Sequence, residues 1–261
     1  IQVAFGAEYR RDELTSDTDT AFATGDLAGQ GGPTIGLSGA TEVYDLFAEL
    51  RVPLIEDMPG AKLLSAEFAY RFSDYGTGIN TDTYKIAGDW APMEDFRFRA
   101  SYQKAVRAAN VIELFTAQGL GLFDMDEDPC GFAAVSNGRG APIAECVATG
   151  MTAAQYGSGA LDSPAGQYNF FGGGNPNLDP ETAKTYTVGV VITPTFLSGL
   201  NISIDYFNIE VEDIITTFGA GNTIAACYDD NDAAACARIN RNALGSLWTN
   251  GGYVEDFNIN V

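Results

Sequence analysis

The feature that most constrains the fold is the recurrence of an apolar residue at every second position. Tyr186, Val188, Val190 and Ile192 alternate with small or polar residues. Side chains of a β-strand point alternately to its two faces, so this spacing predicts a strand with one apolar face. The alternation predicts strands near 1–14, 42–52, 61–75, 81–90, 96–104, 184–193, 200–213 and 248–261. The predicted class is therefore all-β.

The connections between these strands differ in length in a regular way. Those at 15–41, 105–183 and 214–247 are long, and the intervening connections are shorter. In an antiparallel order, the long connections then lie at one end of the sheet. An alanine-rich stretch predicts a short helix near 233–239 in the last of them, and polar residues that take over the apolar positions after Phe207 predict a β-bulge there.

The second face of the strands carries charge, which favours a barrel wall with a wet interior. Apolar outer positions, aromatic residues near strand ends and charged inner positions are typical of outer-membrane barrels, and strands in lipid require a closed barrel. Thr185 and Thr187 are predicted to face the lumen. The charged residues with the same predicted orientation are Glu49, Arg51, Glu67, Arg71, Arg97 and Arg99. We predict an antiparallel transmembrane β-barrel segment of about eight strands with long extracellular loops.

Two other classes share parts of this pattern. Strands of a soluble β-sandwich binding module also alternate, and its loops also gather at its ends. The order of loop lengths favours the barrel over the sandwich. A passive porin or a structural barrel would show the same strands, and the sequence upstream of the chain would discriminate between these barrels and a plugged receptor.

Charge and composition exclude several functions. The net charge is −21 and the sequence pI is about 4.1, which excludes nucleic acid as a partner because phosphate binding depends on Lys and Arg. The chain contains no histidine, so it cannot form a Ser-His-Asp triad or a His-ligated metal site. No glycine-rich phosphate loop precedes a helix. We therefore predict a protein that is not an enzyme and has no cofactor.

Four cysteines form two local pairs, Cys130 with Cys146 and Cys227 with Cys236. Neither pair has the spacing of a zinc site. Two disulfides that close loops are the favoured interpretation, which indicates an oxidising compartment. Other pairings, and free thiols, remain open.

The 105–183 connection contains the candidate ligand contacts. Asp124, Asp126 and Asp128 resemble the start of a calcium loop, but Pro129 replaces the required glycine and Val135 the required glutamate, so an EF-hand is excluded. No metal site is predicted, and adventitious binding of a divalent ion in this loop stays open. Nearby aromatic residues could contact a ligand or pack the loop on the barrel. The candidate contacts are Tyr168, Phe170, Phe171, Asp124, Asp126 and Asp128.

Two segments resemble the TonB-dependent receptors of Gram-negative outer membranes. One is SYQKAVRAANVIELF at 101–115, similar to that family's Arg-Ala-Pro-Asn-x-x-Glu-Leu-Phe segment, with Ala109 at the usual proline. The other enters the strand at 184–193 and is similar to Gly-Asn-Pro-x-Leu-x-Pro-Glu-Thr, with Asp179 where a basic residue is common. Its matching residues are Asn175, Pro176, Leu178, Pro180, Glu181 and Thr182.

The resemblance implies that such a chain is part of a larger membrane receptor. A barrel of about 22 strands with a plugged lumen lies in the outer membrane, in contact with its lipid. A TonB-type inner-membrane protein energises it through an N-terminal region. Its ligand is a small molecule or oligosaccharide: siderophore-bound iron, cobalamin or a sugar chain. Because the sequence begins inside a strand pattern, without signal peptide, plug or box, we expect a fragment of roughly a third of such a barrel.

Overall fold

The computed structural model describes residues 1–25 and 32–261. The strands are β1 (Gln2–Ser16), β2 (Leu37–Met58), β3 (Ala61–Tyr75), β4 (Asn80–Met93), β5 (Phe96–Arg107), β6 (Gly119–Asp124), β7 (Gln167–Gly173), β8 (Glu181–Ile192), β9 (Ile202–Glu212), β10 (Ile215–Thr217), β11 (Ile239–Asn240) and β12 (Tyr253–Asn260). The helices are α1 (Thr20–Thr24), α2 (Val111–Phe115), α3 (Phe132–Ser136), α4 (Ile143–Ala148), α5 (Ala220–Tyr228) and α6 (Ala233–Ala237). The helix predicted near 233–239 corresponds to α6.

Seven long strands form one antiparallel sheet, which we call the wall sheet. Its order is β1-β2-β3-β4-β5-β8-β9. Every pair of neighbours is antiparallel, and β1 and β9 are the edges of this sheet in the described part of the chain. The predicted all-β, antiparallel class is confirmed, and the wall sheet is open rather than closed on itself.

Short turns join the wall strands where the sequence supplies turn residues. Pro59 and Gly60 connect β2 to β3, and Gly60 has the left-handed φ of +77° that glycine tolerates. The alternation predicted that the second strand ends at Val52. It instead continues to Met58, because a register shift between Pro53 and Ile55 accommodates the proline within the sheet.

One face of the wall sheet is covered by large apolar side chains that nothing in the described chain buries. They include Phe5, Leu46, Phe68, Ile86, Phe98, Val188 and Ile204, each more than one third exposed. An apolar patch of this extent on a protein surface marks contact with another apolar phase or partner.

Tyrosines from neighbouring strands pair across this apolar face. The ring centroids are 4.8 Å apart for Tyr9 and Tyr44, and 6.2 Å apart for Tyr186 and Tyr206. A further pair, Tyr84 and Tyr102, lies between them in the strand order, and Trp90 stacks on Phe98 nearer the opposite strand ends. Aromatic rings with a polar edge suit a boundary between apolar and aqueous surroundings.

Two details of the predicted strands were wrong. The range 248–261 is not an eighth wall strand, because β12 pairs with β7, β10 and β11 outside the wall sheet. No bulge lies at Phe207, since β8 and β9 pair in continuous register from Ile192–Ile202 to Thr182–Glu212. The polar residues after Phe207 instead lie on the apolar face at the strand's end, where the apolar surface stops.

Across the residues that the structure describes, no helix has the length and apolar character needed to cross a membrane.

Candidate functional site

The long β5–β8 connection and the segment that follows β9 fold together at the end of the wall sheet where β5 ends and β8 begins, and we refer to both as connections. We call this unit, residues 110–180 and 214–261, the loop lobe. Its sheet has the order β10-β12-β7-β6, and β7 and β12 pair in parallel although they come from different connections. Buried residues from both connections share one core: Leu161, Tyr168, Ile224, Leu247 and Val254, among others. The connections are therefore a packed unit rather than separate loops.

One buried arginine joins the two connections. The side chains of Arg241 and Asp128 are both 0% exposed and form two parallel bonds, of 2.7 and 2.8 Å, between guanidinium and carboxylate. Arg241 also donates to Thr149 Oγ1, the Gly245 carbonyl and the Tyr228 hydroxyl, so all five of its N–H groups have acceptors. Burial acts to lower the pKa of Arg241, but the bonds to Asp128 outweigh it and raise that pKa above its ordinary value.

Each disulfide closes a loop within one connection. Cys130 is bonded to Cys146, and Cys227 to Cys236. Three of the four cysteines lie in the buried core of the loop lobe, and Cys236 packs against it. This pairing matches the local pairs expected from the sequence. Each disulfide cross-links one connection internally, whereas the hydrogen bonds of Arg241 link the two connections to each other.

Two of the candidate ligand contacts lie in the core, and for them that expectation was wrong. Tyr168 is 0% exposed, and its hydroxyl accepts a bond from the Ser163 amide. Burial raises the pKa of Tyr168. Asp128 is the buried partner of Arg241. A side chain with no solvent contact cannot touch a ligand on the surface.

The other candidates remain on or near the surface. Asp124 and Asp126 are exposed, and Asp124 accepts a 3.3 Å bond from Gln167. Within residues 1–25 and 32–261, no group of acidic, cysteine or histidine side chains is arranged to hold a metal ion. Phe170 packs against the core, while Phe171 lies on the opposite face of β7. Phe171 is thus the aromatic candidate that the core does not cover.

The two sequence segments singled out above meet at the junction between lobe and wall. Asn110 and Glu113 form a capping box at the start of α2, in which each side chain bonds the other's backbone amide. Arg107, the last residue of β5, donates to Glu113 and to Glu181 at the start of β8. Leu114, Leu178 and Ile215 pack together beside them. This junction fixes how the lobe leaves the wall.

A cavity of about 440 Å³ lies between the wall sheet and this junction. Apolar side chains such as Val43, Val111 and Leu114 line it together with Arg10 and Asp12. Its size and mixed lining are typical of small-molecule sites.

A second pocket lies on the face of the lobe sheet that the helices leave open. Phe171 contacts Tyr253 at 5.5 Å and Phe257 at 5.7 Å between ring centroids. Beside Phe257 is a pocket of about 290 Å³ that Arg238 and Glu255 help to line. Apart from Phe171, these residues were not predicted from the sequence, because 248–261 was expected in the wall, although the alternation of Tyr253, Glu255 and Phe257 carried the signal.

The charged residues predicted to face the lumen all lie on the face of the wall sheet opposite the apolar one. Several form cross-strand ion pairs there: Lys85 with Glu67 at 2.7 Å, Arg99 with Asp205 at 2.6 Å, Arg71 with Asp45 at 3.5 Å, and Arg97 with Asp89. Glu49 and Arg51 have no ion-pair partner among the described residues. Most charges on this face are therefore neutralised by a neighbouring charge, and unpaired side chains such as Glu49 and Arg51 remain for other contacts.

Comparison with known proteins supplies an independent view of the fold. The family model described as TonB dependent receptor-like, beta-barrel, matches residues 1–255. Similar solved structures include the ferric enterobactin receptor PfeA of Pseudomonas aeruginosa, at 15% identity and a TM-score of 0.57, and the siderophore receptor PirA of Acinetobacter baumannii, at 14% and 0.55. The matches cover 99% of this chain but only 28% of PfeA and 29% of PirA. No curated protein matches the chain.

Proposed function

The chain belongs to the TonB-dependent receptor β-barrel family, and from that premise we propose that it forms part of the wall of an outer-membrane receptor that imports a scarce nutrient by energised transport. The observation that carries the proposal is the division of the wall sheet into an apolar face and a charged face, with the long connections gathered in one lobe at one end. A barrel wall in lipid requires this division.

In this proposal the apolar face contacts outer-membrane lipid and the charged face lines the lumen. The paired tyrosines then lie near the membrane boundary on the loop-lobe side. The loop lobe lies outside the cell, where it captures the ligand. The edges β1 and β9 pair with strands of the same receptor that lie outside this chain, because an unpaired strand edge in lipid is costly.

The proposed ligand is a small nutrient: siderophore-bound iron, cobalamin or an oligosaccharide. PfeA and PirA are receptors for siderophores, which supports uptake of a small nutrient. The energising partner is a TonB-type protein that acts through a region outside this chain. No bond-making chemistry is part of the proposal.

The test is nutrient-limited growth and uptake of labelled ligand by cells that produce the full-length receptor. Three limiting nutrients are compared, a ferric siderophore, cobalamin and an oligosaccharide mixture, in strains with and without the TonB-type protein. We expect uptake of one nutrient to require both proteins. Uptake that persists without the energising protein and rises linearly with concentration would instead show a passive porin.

A further inference from the structure

We propose that the pocket beside Phe257 on the loop lobe binds one ring of a neutral sugar, so that the nutrient is an oligosaccharide. This inference rests on the proposed function, which it narrows to one ligand class. The pocket is lined by Gln118, Asn175, Arg238, Glu255, Phe257 and Ile259. Its volume of about 290 Å³ is near the lower limit for ligand sites, so it suits one ring rather than a whole metal complex.

The two charged side chains of the pocket are available to a ligand. Within the described residues, the Arg238 guanidinium has no hydrogen bond or ion pair. One oxygen of Glu255 accepts a 3.3 Å bond from Asn240, and its other oxygen has no protein donor in the same part of the chain. A guanidinium only donates and a carboxylate only accepts. Neighbouring sugar hydroxyls do both, so they match this pair.

The apolar side of the pocket suits the other surface of a sugar ring. The ring of Phe257 meets Phe171 edge to face, with an interplanar angle of 78°. This packing fixes the orientation of Phe257 within the pocket lining. A flat apolar surface beside hydrogen-bonding groups is the combination that orients a ligand with one apolar and one polar side.

Charge argues against an anionic ligand. The lobe segments 110–180 and 214–261 contain 13 acidic and 3 basic side chains. Arg139 is paired with Glu127 and Arg241 with Asp128, which leaves Arg238, and Glu255 balances Arg238 within the pocket. A multiply charged anion would gain little from a neutral pocket and would be repelled by the surrounding acidic surface.

The experiment uses the full-length receptor in detergent and an array of neutral oligosaccharides of glucose, mannose, galactose, xylose and arabinose. Calorimetry then measures the tightest of them. We expect binding to at least one, with affinity lowered about tenfold or more by Arg238→Met and by Glu255→Gln, as for a lost charged hydrogen bond. Arg139→Met, the same change at an exposed ion pair of the same lobe, should leave affinity unchanged.

Each outcome is decisive. No binding to any neutral oligosaccharide overturns the inference, while uptake of a ferric siderophore or cobalamin by the same receptor would leave the proposed function intact. Sugar binding that Arg238→Met and Glu255→Gln do not weaken places the sugar elsewhere and also overturns it. Gel mobility before and after heating checks that each variant is folded, and Arg238→Lys provides a conservative second variant.

Discussion

At the scale of single residues, Gly189 is required by an ion pair that crosses it. Gly189 on β8 lies between its cross-strand partners Arg99 on β5 and Asp205 on β9. A Cβ at Gly189 would overlap Asp205 Oδ1 and lie 3.0 Å from Arg99 Nε. The absent side chain therefore lets two charges meet across the middle strand.

We predict that Gly189→Val destabilises the folded wall, because the ion pair must separate or the strand must shift. The expected loss is about 1–3 kcal/mol. The measurement is gel electrophoresis of the full-length receptor after heating to increasing temperatures. It gives the temperature at which the faster-migrating band of the folded receptor is lost. Gly88→Val is the matched control, since a Cβ at Gly88 meets nothing within 4 Å. An equal shift for both variants would contradict this role for Gly189.

The buried pair in the loop lobe gives a second prediction. Arg241→Met leaves Asp128 buried without its partner, so we expect a loss of about 3–5 kcal/mol in the stability of the lobe. Hydrogen exchange at the lobe strands measures this loss. Arg139→Met breaks an exposed pair and should cost at most about 1 kcal/mol. Similar exchange rates in the two variants would show that Arg241 does not join the connections.

Sequence reasoning could not have found Arg241. It found the charged face of the wall because period two places Glu67 and Arg99 on that face without knowledge of their partners. The acceptors of Arg241 come from distant positions, Asp128, Thr149 and Tyr228, and no spacing connects them. For the same reason Tyr168 and Asp128 were expected at the surface, although their loop folds into a core.

At the scale of elements, strand type was predictable and strand partner was not. The alternation near β12 is as regular as in the wall, but it does not tell whether a strand joins lipid-facing neighbours or a smaller sheet. The second strand was predicted to end at Val52, just before Pro53, because a proline usually ends a strand. The strand continues because the register shifts around the proline.

Removal of the Cys130–Cys146 disulfide should destabilise the elements near it in the loop lobe and leave the wall sheet intact. We predict that Cys130→Ser with Cys146→Ser destabilises the lobe by about 3 kcal/mol, since the bond limits the unfolded loop. Hydrogen exchange should rise in α3, α4 and the neighbouring core. It should stay constant in β2 to β5, which lie in another sheet. Faster exchange in those strands would show that lobe and wall unfold together.

At the scale of the whole molecule, the two faces of the wall sheet differ in polarity. Val188, 55% exposed on the apolar face, and Thr187, on the charged face, are neighbours in β8 with opposite orientations. This contrast permits a test of the proposed membrane orientation with the same substitution at adjacent positions.

We predict that Val188→Arg impairs folding of the full-length receptor into lipid vesicles by about 1–2 kcal/mol, because the cost of a lipid-facing arginine is intermediate at a position two residues from the boundary tyrosine Tyr186. Thr187→Arg should fold nearly as well as the unchanged receptor, because its side chain would face water. The folded fraction on a gel without boiling measures both. Equal impairment, or a greater effect of Thr187→Arg, would reverse the assignment of the two faces.

The parallel pairing of β7 with β12 sets an order of events during folding. β7 can pair with the nearby β6 first, but its second edge stays open until β12, which lies beyond β8, β9 and α5 in the chain, reaches it. Contacts between distant parts of a chain form slowly and leave strand edges exposed while they wait. A chaperone that shields open strand edges would therefore matter most for this segment, and chain cleavage before β12 would leave a lobe that cannot close.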